Sequence, residues 1–172
     1  MKNIKFEDMQ ISTEMKNVVK VVVKESKEKY KKTRSYRTPI TALLSNREED
    51  GTIEVGGMDL DTVPQCAIPE IIQATIDQCN VCEVAIVAEG SMVDSSDMTP
   101  EEDKADRKKY PDISLNPRAF HCFTIKLDTK DYIYIGIARF NLSKKEGKRQ
   151  LLGMQWKQAE EDGTTEVFNF GE

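Results

Sequence analysis

The stretches CEVAIVAEG, residues 82–90, and AFHCFTIKLDTKDYIYIGIARF, residues 119–140, decide the fold of this chain. In the first stretch, apolar residues occupy every position from Val84 to Ala88, which is typical of a strand that is covered on both faces. The second stretch alternates apolar and polar residues on either side of a short turn, which predicts an antiparallel hairpin. We therefore predict three strands, near 83–89, 119–127 and 132–140.

The turn between the two hairpin strands sets their expected register. If residue 127 pairs with residue 132, Phe123 lies opposite Gly136 on the neighbouring strand. A small residue at that position would leave room for the phenyl ring.

Two other segments have apolar residues at helical spacing. The first helix is predicted from about Thr13, as its N-cap, to Lys32, although the valine-rich run within it also fits a strand. The second helix is predicted to start at Pro69 and to have Asn80 as its C-cap. The apolar stripe of the first helix consists of Met15, Val18, Val19, Val22, Ser26 and Tyr30, and lysines line another of its faces.

A charged excursion, residues 90–118, separates the interior strand from a C-terminal meander. Within it, Thr99-Pro100-Glu101-Glu102 forms a capping box with proline at the first helical position, which predicts a short exposed helix over 100–109. A lysine-rich turn is expected at 144–148. The remaining predicted strands lie near 38–45, 52–56, 149–157 and 164–170.

These patterns together predict a single α+β domain over residues 1–172. A mainly antiparallel sheet of five to seven strands would carry two main helices, both on one face. The partly helical excursion would lie over the C-terminal edge of the interior strand. Residues 1–12 form a lead-in, and the pattern leaves open whether it is flexible.

Charge is distributed unevenly along the chain. Residues 1–40 contain 11 lysines and arginines against 5 acidic residues, a net charge of +6, and residues 41–172 contain 14 against 25, a net charge of −11. Because the acidic body would repel a polyanion, nucleic acid is not an expected partner. No apolar run near the N-terminus is long enough for a signal peptide or a membrane span. We therefore expect a soluble, cytoplasmic protein without membrane association.

Five charged or titratable residues are candidates for a ligand-binding site near the end of the interior strand. Glu89 ends that strand, Asp94 follows it, and His121 is the one histidine of the chain. Carboxylates and an imidazole suit a general-base site or a hard metal ion. Arg118 and Arg139 would lie nearby and could bind a phosphate or carboxylate, or pair with neighbouring acidic residues. His121 also fits an ordinary core position, and Glu89 could simply cap the sheet.

The spacing Cys79-x-x-Cys82 is that of half a zinc site or of a redox pair. A structural zinc would need two further ligands, and no second pair with this spacing exists. For Cys79 and Cys122, small core residues are the simpler interpretation, and without a secretion signal free thiols are expected. No metal or cofactor is predicted, and Cys79 and Cys82 are only weak candidates for metal ligands.

No Walker loop, dinucleotide-binding glycine motif, nucleophile elbow or zinc-protease motif is present in the sequence. The first hypothesis is therefore a non-enzymatic module that binds a protein partner or a second copy through exposed sheet edges and the excursion. The alternative is a small-molecule or nucleotide-binding protein, in one version a hydrolase, with its site at the end of strand 83–89. The two hypotheses differ in whether the five candidate residues converge in one pocket.

Overall fold

The computed structural model describes residues 1–33, 36–142, 149–159 and 168–171. The strands are Lys2–Asn3 (β1), Thr41–Arg47 (β2), Ile53–Asp59 (β3), Val81–Val93 (β4), Ala119–Thr129 (β5), Ile133–Leu142 (β6), Arg149–Leu151 (β7) and Gln155–Gln158 (β8). The helices are Thr13–Lys32 (α1), Ile68–Gln78 (α2) and Pro100–Lys109 (α3). Short 3₁₀ turns occur at Phe6–Asp8, Gln65–Ala67 and Ile113–Leu115.

The strands form one antiparallel sheet in the order β1-β8-β6-β5-β4-β2-β3, and β7 pairs with the end of β6. The predicted α+β class with a mainly antiparallel sheet is confirmed. The described part of the chain contains eight strands rather than five to seven. Of the seven predicted strands, six have counterparts among these eight, since most of the strand predicted at 164–170 lies outside the described residues. The other two arise because the strand predicted over 149–157 is divided in two and because residues 2–3 add a short edge strand.

β4 lies inside the sheet, with β2 on one side and β5 on the other. Its alternating side chains enter two different cores: Ala85 and Val87 pack with α1, whereas Val84 packs with α2. The expectation that both helices lie on one face of the sheet is therefore wrong. A strand that is apolar on both faces needs cover on both, and the two amphipathic helices provide it from opposite sides.

α1 is attached to the sheet by its apolar stripe and by its N-cap. The predicted stripe packs on the sheet, with Met15, Val19, Ser26 and Tyr30 buried. Ser12, rather than Thr13, is the N-cap: its Oγ accepts a hydrogen bond from the Met15 amide at 3.1 Å. The same Oγ and the Ser12 amide donate to the carboxylate of Glu83, on β4, at 2.5 Å and 2.7 Å. These bonds to Glu83 hold the N-cap residue of α1 against β4.

α2 buries the apolar face that its spacing predicted, namely Ile68, Ile72 and Ile76. Its C-cap is Cys79 and not Asn80. The Asn80 side chain instead donates to the carbonyl of Arg47, at the end of β2, at 3.0 Å. Because β4 begins at Val81, the chain has to leave the helix one residue earlier than the sequence suggested.

The β5–β6 hairpin is tighter than predicted. Phe123 pairs with Ala138, and Gly136 lies opposite Ile125, so the register differs by two residues from the expected one. Thr129 closes the turn, since its Oγ accepts from the Tyr132 amide at 2.9 Å and its amide donates to the Tyr132 carbonyl at 2.9 Å. A shift of two residues leaves every side chain on its predicted face, which is why alternation alone could not detect it.

Both ends of the described chain contribute to the structure. The lead-in is anchored, since β1 pairs with β8 and Met9 is buried. The lysine-rich turn predicted at 144–148 and most of the strand predicted at 164–170 lie outside the described residues. Within that last segment, Phe168 and Phe170 are described outside any strand, and both pack against the core beneath α2.

The excursion begins later than expected, because β4 continues to Val93 and pairs with β5 along its whole second half. The capping box is confirmed: Thr99 Oγ1 accepts from the Glu102 amide, and the Glu102 side chain accepts from the Thr99 amide. α3 buries no residue, as predicted from its lack of an apolar stripe. The predicted hairpin near 38–56 is also confirmed as β2 and β3, with Gly51 at a φ of +86° in its turn.

Replacing Gly136 by alanine should destabilise the protein by overpacking. A Cβ at this position would lie 2.7 Å from Met154 Cε and 2.7 Å from Trp156 Cζ3, and the indole ring cannot easily move. We expect a loss of about 1–3 kcal/mol in the free energy of unfolding, measured by urea denaturation. Gly90→Ala is the matched control in β4, because nothing lies within 4 Å of the added methyl group. Equal stability of the two variants would contradict this packing.

Replacing Asp128 by asparagine should stabilise the protein at neutral pH. Asp128 is 1% exposed, with Lys126 Nζ at 3.5 Å, and among the described residues none donates a hydrogen bond to its carboxylate oxygens. Burial raises the pKa of this carboxyl to about 6, although Lys126 opposes the shift. The folded state therefore binds the proton more tightly than the unfolded state, and stability falls as the pH rises through 6.

The shift from the ordinary value of 3.8 corresponds to about 3 kcal/mol at pH 7. Thermal unfolding of wild type and Asp128→Asn between pH 4 and pH 8 tests this expectation. The stability difference in favour of the variant should appear between pH 4 and pH 6 and stay constant above pH 7. A pH-independent difference would show that ionisation of Asp128 is not its cause.

Candidate functional site

Glu89 is the centre of a buried polar cluster on the α1 side of the sheet. Its side chain is 3% exposed and accepts hydrogen bonds from four residues. Its Oε1 accepts from His121 Nε2 at 2.8 Å and from Arg149 Nη1 at 2.6 Å. Its Oε2 accepts from the Tyr30 hydroxyl at 2.9 Å and from the Thr38 amide at 2.7 Å. Both oxygens of the carboxylate are thus fully engaged.

Each partner of Glu89 comes from a different element. Glu89 shares a β4 face with Ala85 and Val87, so it points towards α1, whose last turn carries Tyr30. His121 lies on the same face of β5, and Arg149 is the first residue of β7. The Glu89 carboxylate therefore connects the end of α1 to β4, to β5 and to the start of β7.

Aromatic rings enclose the arginine of this cluster. The Arg149 guanidinium carbon lies 4.4 Å from the Phe140 ring centroid and 5.1 Å from that of Tyr30. Arg149 Nη2 also donates to the Tyr36 carbonyl. Phe140, which contacts Arg149, also stacks on the His121 ring, with the two ring centroids 5.8 Å apart and an angle of 18° between the ring planes. A guanidinium between aromatic faces gains cation–π stabilisation in addition to its ion pair.

The electrostatics indicate that Glu89 remains ionised. Burial by itself would raise the pKa of this carboxyl, but the hydrogen bonds from Arg149, His121, Thr38 and Tyr30 outweigh burial and lower it. Burial and the neighbouring carboxylate together raise the pKa of the Tyr30 hydroxyl, so Tyr30 stays a donor. A carboxylate with a lowered pKa and no free lone pair is poorly suited to act as a general base. It is well suited to hold elements together.

The structure places the five predicted site residues in three separate locations. Glu89 and His121 are in contact, as described above. Asp94 pairs with Arg139 at 3.6 Å, and both side chains are more than half exposed. Arg118 pairs with Asp106, on α3, at 3.0 Å and does not join the others.

Asp94 and Arg139 line a shallow cavity of about 430 Å³ at the far end of β4. The Arg139 guanidinium lies 3.7 Å from the centroid of Phe120, which forms part of the cavity wall. The Asp94 carboxylate accepts from the Ser96 amide at 3.0 Å, and hydrogen bonds to Ser96 lower the pKa of this carboxyl. Asp94 thus provides Arg139 with a counter-charge from within the protein.

The cysteines do not converge on a metal site. Cys79 is exposed at the end of α2, so its expected core position is wrong, whereas Cys122 is buried as expected. Cys82 is half-buried, with its thiol 3.5 Å from the Ser45 carbonyl. Burial raises the pKa of Cys82, which is opposite to the change that activates a redox thiol. Within residues 1–33, 36–142, 149–159 and 168–171, no three His, Cys, Asp or Glu side chains are placed to hold a metal ion.

Sequence reasoning missed Tyr30, Thr38 and Arg149 as partners of Glu89. Tyr30 was assigned to the apolar stripe of the first helix, and no pattern distinguishes its hydroxyl from that of another buried tyrosine. Arg149 begins the strand predicted over 149–157, but nothing in the sequence indicates that its side chain pairs with a buried carboxylate. These partners are 59, 51 and 60 residues away from Glu89 along the chain, and only the tertiary fold brings them together.

β3 forms an open edge of the sheet. Two hydrogen bonds show which β3 residues bond to β2. The Leu60 amide donates to the Ile40 carbonyl and the Glu48 amide donates to the Thr52 carbonyl, both at 2.8 Å. In an antiparallel pair, alternate residues direct their amide and carbonyl groups to opposite sides. The β3 residues that point away from β2 are Ile53, Val55, Gly57 and Asp59.

No strand in the described part of the chain pairs with this outer edge of β3. The strand contains no lysine or proline, the residues that most often protect an edge from pairing. Its charged side chains, Glu54 and Asp59, are both acidic and exposed. Further exposed acidic residues lie close to its two ends, namely Glu48, Glu49, Asp50 and Asp61.

No family model matches this chain, and comparisons with curated proteins and with solved structures find no similar protein. Among the described helices, none combines the length and the apolar character needed to cross a membrane.

Replacing Glu89 by glutamine should destabilise the protein strongly, because it leaves the Arg149 guanidinium, 22% exposed, without its counter-charge. We expect a loss of about 3–5 kcal/mol at pH 7, measured by urea denaturation. The lowered pKa of Glu89 means that its ionisation stabilises the folded state above its ordinary value of 4.5. That contribution disappears as the pH falls through the lowered value, so the difference from wild type should shrink in acid.

His121→Ala is the matched control for this cluster. The His121 side chain is 50% exposed, so the variant should lose about 1 kcal/mol or less. A catalytic or ligand-binding role of the cluster would give the opposite result. In that case, both variants would fold as stably as wild type, and any ligand bound by the protein would be lost.

Proposed function

We propose that this protein is a non-enzymatic protein-interaction module whose β3 edge accepts an extended segment of a partner protein. The observation that supports the proposal is the row of outward-facing backbone groups at Ile53, Val55, Gly57 and Asp59. An added strand would hydrogen-bond to these groups and extend the sheet, a common mode of peptide recognition. Affinity would come from the main-chain hydrogen bonds, and specificity would come from the side chains on either side.

The charges around β3 favour a basic partner strand. Glu54 and Asp59 flank the glycine pair Gly56-Gly57, and the β2–β3 turn adds further carboxylates. The glycines leave open space beside the backbone, since nothing lies within 4 Å of a Cβ at either position. Glu54 and Asp59 lie on opposite faces of the sheet, so a partner strand with lysine or arginine at alternate positions would place its cations beside the carboxylate on one of these faces.

A second copy of this chain fits the edge less well than a basic partner does. Pairing of β3 with β3 would bring two edges that carry exposed carboxylates close together, with no basic residue in the strand to compensate. Like charges on neighbouring strands oppose pairing. We therefore propose a partner of different sequence, and self-association becomes an outcome of the test.

The alternative function, a small-molecule site at the end of strand 83–89, has less support. The five candidate residues do not share one pocket, and the carboxylate of Glu89 is fully engaged by protein donors. The single-domain organisation and the cytoplasmic location stay predictions, and both are compatible with an interaction module.

Binding of a synthetic seven-residue peptide that alternates valine and lysine tests the proposal. The peptide should slow hydrogen exchange of the amides of Val55, Gly57 and Asp59, measured by NMR or mass spectrometry, because these amides would become donors in the new ladder. A peptide that alternates valine and glutamate is the control and should give no protection. Added salt should weaken binding of the lysine peptide.

Two single proline variants distinguish an effect on peptide binding from an effect on stability. Gly57→Pro removes an outward amide and leaves the ladder to β2 intact, so the variant should fold and lose the peptide. Gly56→Pro removes an amide that bonds to β2, so this variant should be destabilised by about 1–3 kcal/mol. The proposal fails if Gly57→Pro still binds the peptide, or if wild type forms a dimer that Gly57→Pro abolishes.

A further inference from the structure

A second surface lies towards the other end of the sheet, five positions away from β3 in the strand order. It is an apolar groove of about 380 Å³ between the middle of α1 and β8. Its apolar residues are Phe6, Val19, Val23, Met154 and Trp156, and its rim carries Lys20, Lys24 and Lys27. We call it the lysine-rimmed groove.

The floor of the groove is held in place by close packing. The rings of Phe6 and Trp156 lie with their centroids 5.3 Å apart and their planes at 39°. Trp156 pairs across the ladder with Gly136, whose missing side chain leaves room for the indole. A floor with large aromatic rings and methionine has the composition that is enriched at the centres of protein interfaces.

The three lysines of the rim lie close together on α1, and their mutual repulsion lowers the stability of the helix. Lys20 and Lys24 are four residues apart, and Lys27 follows three residues later, so the three exposed ammonium groups lie on one side of α1. Like charges at this spacing destabilise a helix by a few tenths of a kcal/mol per pair. Lys20 Nζ also lies 5.8 Å from the Phe6 ring, which brings positive charge to the mouth of the groove. An acidic ligand in the groove would relieve this repulsion.

We propose that the lysine-rimmed groove binds an acidic amphipathic segment of a partner protein. Apolar side chains of the segment would fill the groove, and its carboxylates would pair with the lysines of the rim. A nucleic acid has no comparable apolar side chains to place there, and the rest of the chain is acidic. The partner chemistry is opposite in charge to that proposed for β3, so the groove is a separate site and does not depend on the β3 proposal.

Trp156 reports on the groove directly, because it is the single tryptophan of the chain. The probe is a synthetic fourteen-residue peptide with leucine at helical i, i+3, i+4 and i+7 spacing and glutamate at most other positions. Titration should change the Trp156 fluorescence in a saturable way. A scrambled peptide of the same composition should bind more weakly, because it lacks the continuous apolar face. Binding should also weaken as salt is added.

Lys24→Glu is the diagnostic variant, and Lys104→Glu on α3 is its matched control. Both lysines are exposed on helices, so both variants should unfold at the wild-type temperature within a few degrees. Lys24→Glu should weaken binding of the acidic peptide about tenfold, whereas Lys104→Glu should leave it unchanged. Gly57→Pro on β3 should also leave it unchanged, which distinguishes failure at β3 from failure at the groove.

Three results would overturn this proposal. The first is the absence of a saturable fluorescence change at millimolar peptide. The second is equal binding by wild type and Lys24→Glu. The third is tighter binding of laurate or of a single-stranded oligonucleotide than of the acidic peptide, which would assign the groove to a fatty acid or to a nucleic acid instead.

Discussion

Two glutamates of one strand hold α1 at both of its ends, and much of the structure depends on this arrangement. Glu83 accepts hydrogen bonds from the N-cap residue Ser12, and Glu89, six residues later on the same face of β4, accepts one from Tyr30 in the last turn. Between these two carboxylates, the apolar residues Ala85 and Val87 pack beneath the helix. The strand therefore fixes the position of the helix along its length, which apolar packing alone would leave free to slide.

The Glu89 cluster shows how a group with catalytic residue types can be structural. A buried carboxylate beside a histidine and an arginine is a common starting point for a functional hypothesis. Here the carboxylate oxygens are engaged by the protein itself, with a lowered pKa as the consequence. Burial of a charged pair seldom adds much net stability compared with an apolar core, but it restricts the arrangements that the elements can adopt. In this protein, it specifies where the end of α1 and the start of β7 meet.

The charges of the two proposed surfaces are opposite, and the sheet order keeps them apart. The acidic edge at β3 and the lysine-rimmed groove at β8 lie at opposite sides of the sheet. The net charge of −5 is a sum over the whole chain, so it does not show that acidic and basic side chains are grouped on different surfaces. An N-terminal lysine face on an acidic body could have been neutralised internally. The fold instead places Lys20, Lys24 and Lys27 at the rim of an apolar groove, where the proposed acidic partner would meet them.

Local patterns in the sequence determined the helices, the hairpins, the α+β class and the two-sided burial of β4, because apolar periodicity and capping residues act over a few positions. They could not determine the β5–β6 register, since a shift of two residues preserves alternation and the choice rests on the Thr129–Tyr132 turn. Nor could they place Arg149 beside Glu89, because that contact depends on the path of the chain across the sheet. Only the tertiary structure decided that Glu89 contacts His121 and that Asp94, Arg118 and Arg139 lie elsewhere. Strand order and long-range side-chain contacts have no local signal in the sequence.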